Sequence, residues 1–470
     1  MAASQDDNHK RKSSLTSGFS WILLANFTST AVLGILTLIL PALLGRYGNG
    51  IWQLYQLYAV YLGYVTFGYT DGIYLRIGGA ELQNLNRRRI GGSISVYALL
   101  ETFTFVIIGL AALVWAPDNH KFVIIFASAG SIAYVTRTLV SMIFQATGES
   151  KSFAISLVSE RLVSIVLIML LLAAGYRDPF LLIIADVIGR YCGLLISFWL
   201  IRKNIKLCNL DWKDIFSYFI KDCFDGIYVL FANLCAVLIP GIVRFIAERR
   251  WGIEVLGDIS IGLQLTSIFM VLINSLSIAL FPNIRRLEHK NLRDSYGQLS
   301  SKLSIPSALS MLAYLPLAWL LTPLFKNTPQ ALTSLAVVIP VCIFEAKSRG
   351  IGSVYLKALR LERLLLWINL ISVVVTALIA AVAAFTLNSI FLALLAVVIG
   401  AAIRFIATDA VVSSHLQLSS WKETIRDCLF ASLFTTLAYC SFPIVATTLY
   451  YLVILCWAIA KLWKANKHRV

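Results

Sequence analysis

The chain is patterned as long apolar blocks separated by short polar segments. Each block holds about 20 apolar residues, the length that an α-helix needs to cross the hydrocarbon core of a bilayer. The blocks do not alternate between apolar and polar positions as membrane-barrel strands do, and a backbone inside lipid must satisfy its own hydrogen bonds. The pattern therefore predicts an all-α fold, a polytopic membrane helical bundle of about 12–14 transmembrane helices.

The predicted spans form a first set of six, a second set of six and a final pair. The first set is Gly18–Leu44, Ile51–Tyr74, Ile94–Trp115, Phe122–Gln145, Phe153–Gly175 and Phe180–Ile201. The second set, after a polar amphipathic connector at Arg202–Asp225, is Gly226–Ala247, Leu256–Phe281, Ile305–Phe325, Ala331–Tyr355, Leu364–Leu387 and Ile390–Val412. The final pair is Cys428–Ser441 and Ile444–Trp463. We expect an N-terminal lobe at 1–205, a C-terminal lobe at 206–425 and an additional pair at 426–470.

Two short matches indicate that the two sets are copies of each other. Ile22–Asn26 resembles Val229–Asn233, displaced by about 207 positions, and Ala185–Gly189 resembles Ala396–Gly400, displaced by about 211. Each set has an even number of spans, so both enter the membrane from the same side. The sequence therefore predicts two pseudo-symmetric six-helix lobes that face each other across a cleft, a design typical of transporters.

Composition and charge fit a membrane protein. Hydrophobic residues make up 59% of the chain and charged residues 14%, below the roughly 25% of soluble domains. The net charge of +16 does not indicate a nucleic-acid partner, because the basic residues collect in alternate loops, as cytoplasmic loops do. These basic clusters are Arg87-Arg88-Arg89; Lys203, Lys206, Lys213 and Lys221; Arg285, Arg286, Lys290 and Arg293; Lys357, Arg360 and Arg363; and the tail from Lys461 to Arg469. Both termini are therefore predicted to be cytoplasmic.

Enzyme signatures are missing from the sequence. It has no HExxH, no Walker lysine in a glycine loop and no GxSxG. The predicted outward loops, about 3 to 10 residues long, are too short to form a catalytic domain. We expect no catalytic residues, no cofactor and no bound metal.

Charged residues inside the predicted spans are the candidates for chemistry, because a buried ionisable group costs several kcal/mol and calls for a partner or a substrate. A guanidinium grips phosphate oxygens bidentately and keeps its charge, so a cleft lined by arginine suits a phosphate or pyrophosphate head group. The candidate substrate-binding residues are Arg137, Arg161, Arg190, Arg349 and Arg404.

Internal ion pairs are the alternative role for some of these arginines. Asp186 lies four residues before Arg190, and Glu345 lies four residues before Arg349, so each pair shares a helical face and could simply pair.

Arg137 and Arg161 are the better candidates for substrate contact. Arg137 has no acidic residue within one helical turn, and Arg161 directly follows Glu160, so these two side chains point to different faces.

Three segments carry a resemblance to a known family. They are a Gly45-Arg46-Tyr47-Gly48 turn after the long first span, Tyr69-Thr70-Asp71-Gly72 leading to Arg76, and the stretch from Asp225 through Arg244 to Gly252 and Gly257. With the pattern of spans, they make the chain resemble the Wzx-type oligosaccharide flippases, also called O-antigen or polysaccharide transporters. Those belong to the superfamily of the multidrug-and-toxin extruders (MATE) and the lipid II flippases.

The resemblance implies a MATE-like fold and a lipid-linked substrate. The expected substrate is an undecaprenyl-diphosphate-linked oligosaccharide, such as an O-antigen or another surface polysaccharide repeat unit, moved from the cytoplasmic to the periplasmic leaflet by alternating access. Expected surroundings are the bacterial inner membrane, its lipids and other polysaccharide assembly proteins. Lipid II flippases carry an arginine in the first span, but this chain has no charge between Gly18 and Gly45, so that contact is not carried over.

Two other functions stay open at this point. A cation-coupled multidrug exporter of the same fold would place carboxylates, free of arginine, in the core of the N-terminal half, where only Glu101 looks unpaired. A membrane-embedded polymerase or ligase acting on the same glycans would need a sizeable outward loop.

Overall fold

The computed structural model describes residues 2–206, 212–285, 289–311, 314–322, 329–418 and 421–439, together with Val453 and Trp457. Throughout these residues the chain is helical, with short turns and no β-strand. The predicted final span Ile444–Trp463 lies outside the described residues except for Val453 and Trp457.

Sixteen α-helices make up the described chain. From the N-terminus they are α1 (Ala2–Leu62), α2 (Tyr69–Ile77), α3 (Arg87–Trp115), α4 (Asp118–Ala146), α5 (Ser150–Ala173), α6 (Pro179–Ile201), α7 (Trp212–Trp251) and α8 (Ile253–Arg285). They continue as α9 (His289–Ser310), α10 (Tyr314–Leu321), α11 (Pro329–Val338), α12 (Val341–Lys347), α13 (Ser353–Ala358), α14 (Glu362–Ala381), α15 (Ile390–His415) and α16 (Trp421–Tyr439). Two π-helical turns, Ser348–Gly352 and Val382–Thr386, follow α12 and α14.

Nine helical stretches of the described chain are long and apolar enough to cross a membrane. They are Ser20–Leu62, Arg87–Trp115, His120–Ala146, Ser150–Ala173, Pro179–Asn204, Ile215–Trp251, Gln330–Ala358, Arg363–Thr386 and Ile390–His415. The protein is therefore a multi-pass helical membrane protein, as its hydropathy pattern predicts.

The chain packs into two compact units. The first unit contains Met1–Leu36 and Tyr47–Leu234, and the second contains Thr37–Arg46 and Cys235–Val470. Both α1 and α7 contribute residues to each unit.

Gly45 breaks α1 between the first two predicted spans. Its backbone has φ 70° and ψ −178°, a conformation that only glycine adopts without strain. The turn that the sequence predicts at Gly45-Arg46-Tyr47-Gly48 therefore begins at its first residue.

The second predicted span is not one continuous helix, which corrects the sequence prediction for Ile51–Tyr74. The helix ends at Leu62, and residues 63–68 form turns with positive φ at Phe67 and Gly68 (51° and 78°) before α2 begins. Because the segment is apolar throughout, its sequence pattern does not indicate this break. Non-helical backbone at membrane depth is tolerated where protein covers it, and such interruptions are common at transport sites.

The tenth predicted span, Ala331–Tyr355, is also interrupted. It contains most of α11, a turn at Ile339 and Pro340, α12, the π-helical turn Ser348–Gly352 and the start of α13. Proline at position 340 removes one helical hydrogen-bond donor, which accounts for the first interruption.

Each unit contains a close helix–helix contact of its own, and the two contacts lie at corresponding positions of the sequence repeat. In the first unit, a Cβ on Gly189 of α6 would collide with Ser164 of α5; in the second, a Cβ on Gly400 of α15 would collide with Thr376 of α14. The two glycines are related by the displacement that the sequence repeat predicts, and their two partners match it to within one position. Pairs of helices thus approach closely at glycine in both units.

Candidate substrate-binding arginine clusters

Arg137 and Arg161 share a carboxylate in the first unit. The Arg137 guanidinium, on α4, pairs with Glu160 of α5, and both side chains are almost completely buried. The Arg161 Nη2 atom lies 3.9 Å from the Glu160 Oε1 atom, and 15% of its side chain is exposed. Arg137 has no acidic residue within one turn of its own helix, and its partner comes from the next helix along the chain.

Arg190 pairs with Asp186 as their spacing allows. The Arg190 Nε atom lies 2.8 Å from the Asp186 Oδ2 atom, and the Tyr55 hydroxyl donates to the same oxygen at 2.6 Å. The Arg190 guanidinium also lies 5.5 Å from the ring centres of both Tyr55 and Tyr134. Tyr55 and Tyr134 give no sequence signal for this role beyond being aromatic residues inside spans.

Tyr134 joins these pairs into one cluster. Its ring centre is 5.4 Å from the Arg137 guanidinium and 5.5 Å from that of Arg190. Arg137 also donates from Nη1 to the Ser141 hydroxyl at 3.3 Å. We call Arg137, Arg161, Arg190, Glu160 and Asp186, with Tyr55 and Tyr134, the first arginine cluster.

The charges of the first arginine cluster do not balance. Its ion pairs bring three guanidiniums to two carboxylates, so the cluster has one positive charge in excess when all five groups are ionised. Arg161 makes the longest of these contacts and is the most exposed arginine of the three. Of the cluster's cations, Arg161 is thus the one best placed to take up an external anion.

Arg349 and Arg404 meet on one carboxylate in the second unit. Both pair with Glu345, and the Arg349 Nε atom lies 2.5 Å from the Glu345 Oε2 atom. Arg349 also donates from Nη2 to the Ala236 carbonyl at 2.7 Å. Arg404 is buried, whereas 28% of the Arg349 side chain is exposed.

Local backbone geometry positions Arg349. It lies in the π-helical turn Ser348–Gly352, a conformation that is rare and concentrated at functional sites. The displacement between Arg137 and Arg349 is within one position of the 211 residues that relate Ala185–Gly189 to Ala396–Gly400, so the two arginines occupy nearly equivalent positions in the repeat. The structure thus brings the five predicted arginines into two clusters, one in each unit.

Sequence reasoning missed a second set of ion pairs in the second unit. Lys347 pairs with Asp427, and Arg426 lies 3.1 Å from the same residue. Tyr296 donates to Asp409 at 2.6 Å. Adjacent charges at Arg426 and Asp427, directly before a predicted span, were the available signal.

Arg46 of the Gly45 turn makes a further missed contact. Its Nη2 atom lies 2.8 Å from the buried Asp258 carboxylate of α8, and its Nη1 atom lies 3.4 Å from Glu254. This contact fixes the end of the first predicted span within the second unit.

Glu101 is buried on α3 and forms no ion pair with any residue that the structure describes. Tyr97, one turn earlier on the same helix, is its polar neighbour. This agrees with the sequence-based view of Glu101 as the N-terminal carboxylate without a basic partner.

Comparison with solved structures identifies the fold. The chain is similar to the lipid II flippase MurJ in an inward closed conformation, with 15% identity, a TM-score of 0.62 and coverage of 94% of this chain and 99% of that one. It is similar to an inward-facing multidrug resistance MATE family transporter of the MOP superfamily (14% identity, TM-score 0.57, coverage 85% and 96%). A MOP superfamily transporter from Pyrococcus furiosus, described as having a binding pocket of reverse polarity, matches with 14% identity, a TM-score of 0.53 and coverage of 86% and 96%. At these identities the likeness shows the fold, which is that of the MOP superfamily transporters.

Sequence comparison then gives the family. The profile of the polysaccharide biosynthesis protein family matches residues 5–288, and the chain belongs to this family. Among curated proteins, none matches the chain significantly.

Proposed function

We propose that this protein is a flippase for undecaprenyl-diphosphate-linked oligosaccharide. It moves an O-antigen or other surface polysaccharide repeat unit from the cytoplasmic to the periplasmic leaflet of a bacterial inner membrane, by alternating access and with both termini in the cytoplasm. Family membership supports a role in polysaccharide biosynthesis, and the fold shared with a lipid II flippase supports a lipid-linked substrate.

The observation that carries the proposal is the charge imbalance of the first arginine cluster. Three guanidiniums against two carboxylates leave one positive charge without a carboxylate inside the helical bundle, where an uncompensated charge is costly. A diphosphate would neutralise it through charge-assisted, bidentate contacts, whereas a cationic substrate would be repelled. Arg137, Arg161, Arg190, Arg349 and Arg404 are the proposed substrate contacts, with Arg161 and Arg349 the most accessible.

The test measures translocation after removal of the accessible cation of the first cluster. Arg161→Gln should lower the export of surface polysaccharide, in cells that depend on this protein for it, by about tenfold or more, because a lost charge-assisted contact is worth about 1.5–3 kcal/mol. Arg177→Gln, in an exposed turn, is the matched control and should export normally. Normal export by an equally abundant Arg161→Gln variant would remove the first cluster from the transport path.

A cation-coupled multidrug exporter is the alternative, and buried Glu101 is the observation that favours it. The same cells distinguish the two functions when efflux of a cationic dye is measured alongside polysaccharide. A flippase leaves dye efflux unchanged in every variant, including Glu101→Gln. Dye efflux that depends on Glu101, with polysaccharide export unaffected by Arg161→Gln, would replace our proposal with the exporter.

A further inference from the structure

We propose that a basic surface of the first unit binds the phosphate of an anionic phospholipid. The surface is formed by residues 78–89, before and at the start of α3, and residues 202–206, after α6. These two segments carry six basic residues and a single acidic residue, Glu81. The basic residues are Arg87, Arg88, Arg89, Arg202, Lys203 and Lys206.

The fold holds the two segments together. The Lys206 backbone N–H donates to the Arg87 carbonyl at 3.0 Å. Gly91 allows this approach, because a Cβ at that position would lie only 2.5 Å from the Lys206 carbonyl oxygen. The charges therefore form one fixed surface, although α3 to α6 separate the two segments along the chain.

Most of the surface is unneutralised. Arg87, Arg88, Lys203 and Lys206 are exposed, and none of the four forms an ion pair within the described part of the chain. Arg87 and Arg88 also lie in the first turn of α3, where the positive end of the helix dipole disfavours cations. An anion bound here would relieve both the mutual repulsion of the side chains and their conflict with the helix.

Aromatic residues place this surface at the level of lipid head groups. The Arg202 guanidinium lies 5.0 Å from the ring centre of Trp199, whose side chain is 59% exposed, and exposed tryptophan paired with a cation is typical of the membrane interface. On α7, Phe216, Ile220 and Phe224 form an exposed apolar stripe at four-residue intervals.

Arg89 connects α7 to the basic surface. Its guanidinium lies 3.8 Å from the ring centre of Tyr218, on a different face of α7 from the apolar stripe. The helix that carries an apolar face for acyl chains therefore packs against the basic surface that supplies cations for a phosphate. This combination of cations and apolar side chains fits an anionic phospholipid better than a soluble phosphate, which would use only the cations.

The experiment measures lipid retention by the full-length protein in detergent, using native mass spectrometry and thermal unfolding. Phosphatidylglycerol should stay bound and raise the melting temperature by several degrees, and phosphatidylcholine should do neither. The variant Arg87→Gln/Arg88→Gln/Lys203→Gln/Lys206→Gln should bind phosphatidylglycerol about tenfold more weakly or worse, because each cation near an anionic head group contributes to binding.

A matched control separates the effect of losing this site from the effect of lowering the net charge of the protein. Lys151→Gln/Arg177→Gln/Arg249→Gln/Arg363→Gln removes four exposed cations elsewhere and should keep full binding. Equal losses in both quadruple variants, or equal binding of the two phospholipids, would overturn the proposal. So would displacement of phosphatidylglycerol from this surface by an equal concentration of polyprenyl diphosphate, since the surface would then belong to that lipid. Unfolding without lipid checks that the quadruple variant is folded.

Discussion

Glu160 is the residue on which the first arginine cluster depends. Its side chain is fully buried and pairs with buried Arg137. Replacement by glutamine leaves that guanidinium uncompensated, and breaking a buried pair in this way costs about 3–5 kcal/mol. We predict that Glu160→Gln lowers the melting temperature of the detergent-solubilised protein markedly, whereas Glu149→Gln, at an exposed carboxylate, leaves it unchanged.

The double variant Glu160→Gln/Arg137→Met tests whether the stability lost in Glu160→Gln comes from the uncompensated charge or from altered packing. It removes both partners, so most of the lost stability should return. A Glu160→Gln protein that melts with the parent would show that Arg137 is satisfied without Glu160, and the charge count of the first cluster would then be wrong.

Ion pairs within one helix could be predicted from the sequence, and pairs across helices could not. Asp186 with Arg190 follows from four-residue spacing, as does Glu345 with Arg349. The partner of Arg404 is Glu345 on α12, and not Asp409 on its own helix, because the packing of α12 against α15 decides which carboxylate is near. Side-chain partners across helices depend on rotation and depth, which a hydropathy pattern does not contain.

At the scale of elements, glycine controls how closely helices pair in both units. Gly189→Ala and Gly400→Ala each place a methyl group into the neighbouring helix, and we expect each to cost about 1–3 kcal/mol of stability. Gly109→Ala on α3 meets open space and should be neutral or stabilising by up to about 1 kcal/mol. Thermal unfolding in one detergent measures all three variants.

The two contacts should respond differently to a second substitution. A Cβ on Gly400 would collide only with the Thr376 side chain of α14, since its other neighbour, Ile239, lies at an ordinary contact distance of 3.5 Å. Thr376→Ala should therefore restore most of the stability lost in Gly400→Ala. Gly189 also faces the Ser164 backbone nitrogen at 2.8 Å, so Ser164→Ala should not rescue Gly189→Ala. Rescue of both variants, or of neither, would contradict this geometry.

Helix positions could be predicted from apolar block length, but helix interruptions could not. The sequence predicted the turn at Gly45, since glycines and arginine interrupt an apolar run there. The break at 63–68 falls inside an apolar, aromatic segment that has the pattern of a continuous helix. Its position follows instead from packing: α2 and α7 meet at Gly68, Gly72 and Gly226, where added Cβ atoms would strike backbone of the other segment.

At the scale of the whole molecule, the basic loops predict the orientation in the membrane. Successive long helices run in opposite directions, so the start of α3, with three consecutive arginines, and the turn between α5 and α6, around Arg177, lie on opposite sides. Lysine and arginine in short loops are retained in the cytoplasm. We predict that Arg177→Cys in intact cells reacts with a membrane-impermeant maleimide, whereas Arg88→Cys reacts only after permeabilisation. The parent protein, with its own cysteines, sets the background, and the reverse labelling pattern would place the basic surface and both termini outside the cytoplasm.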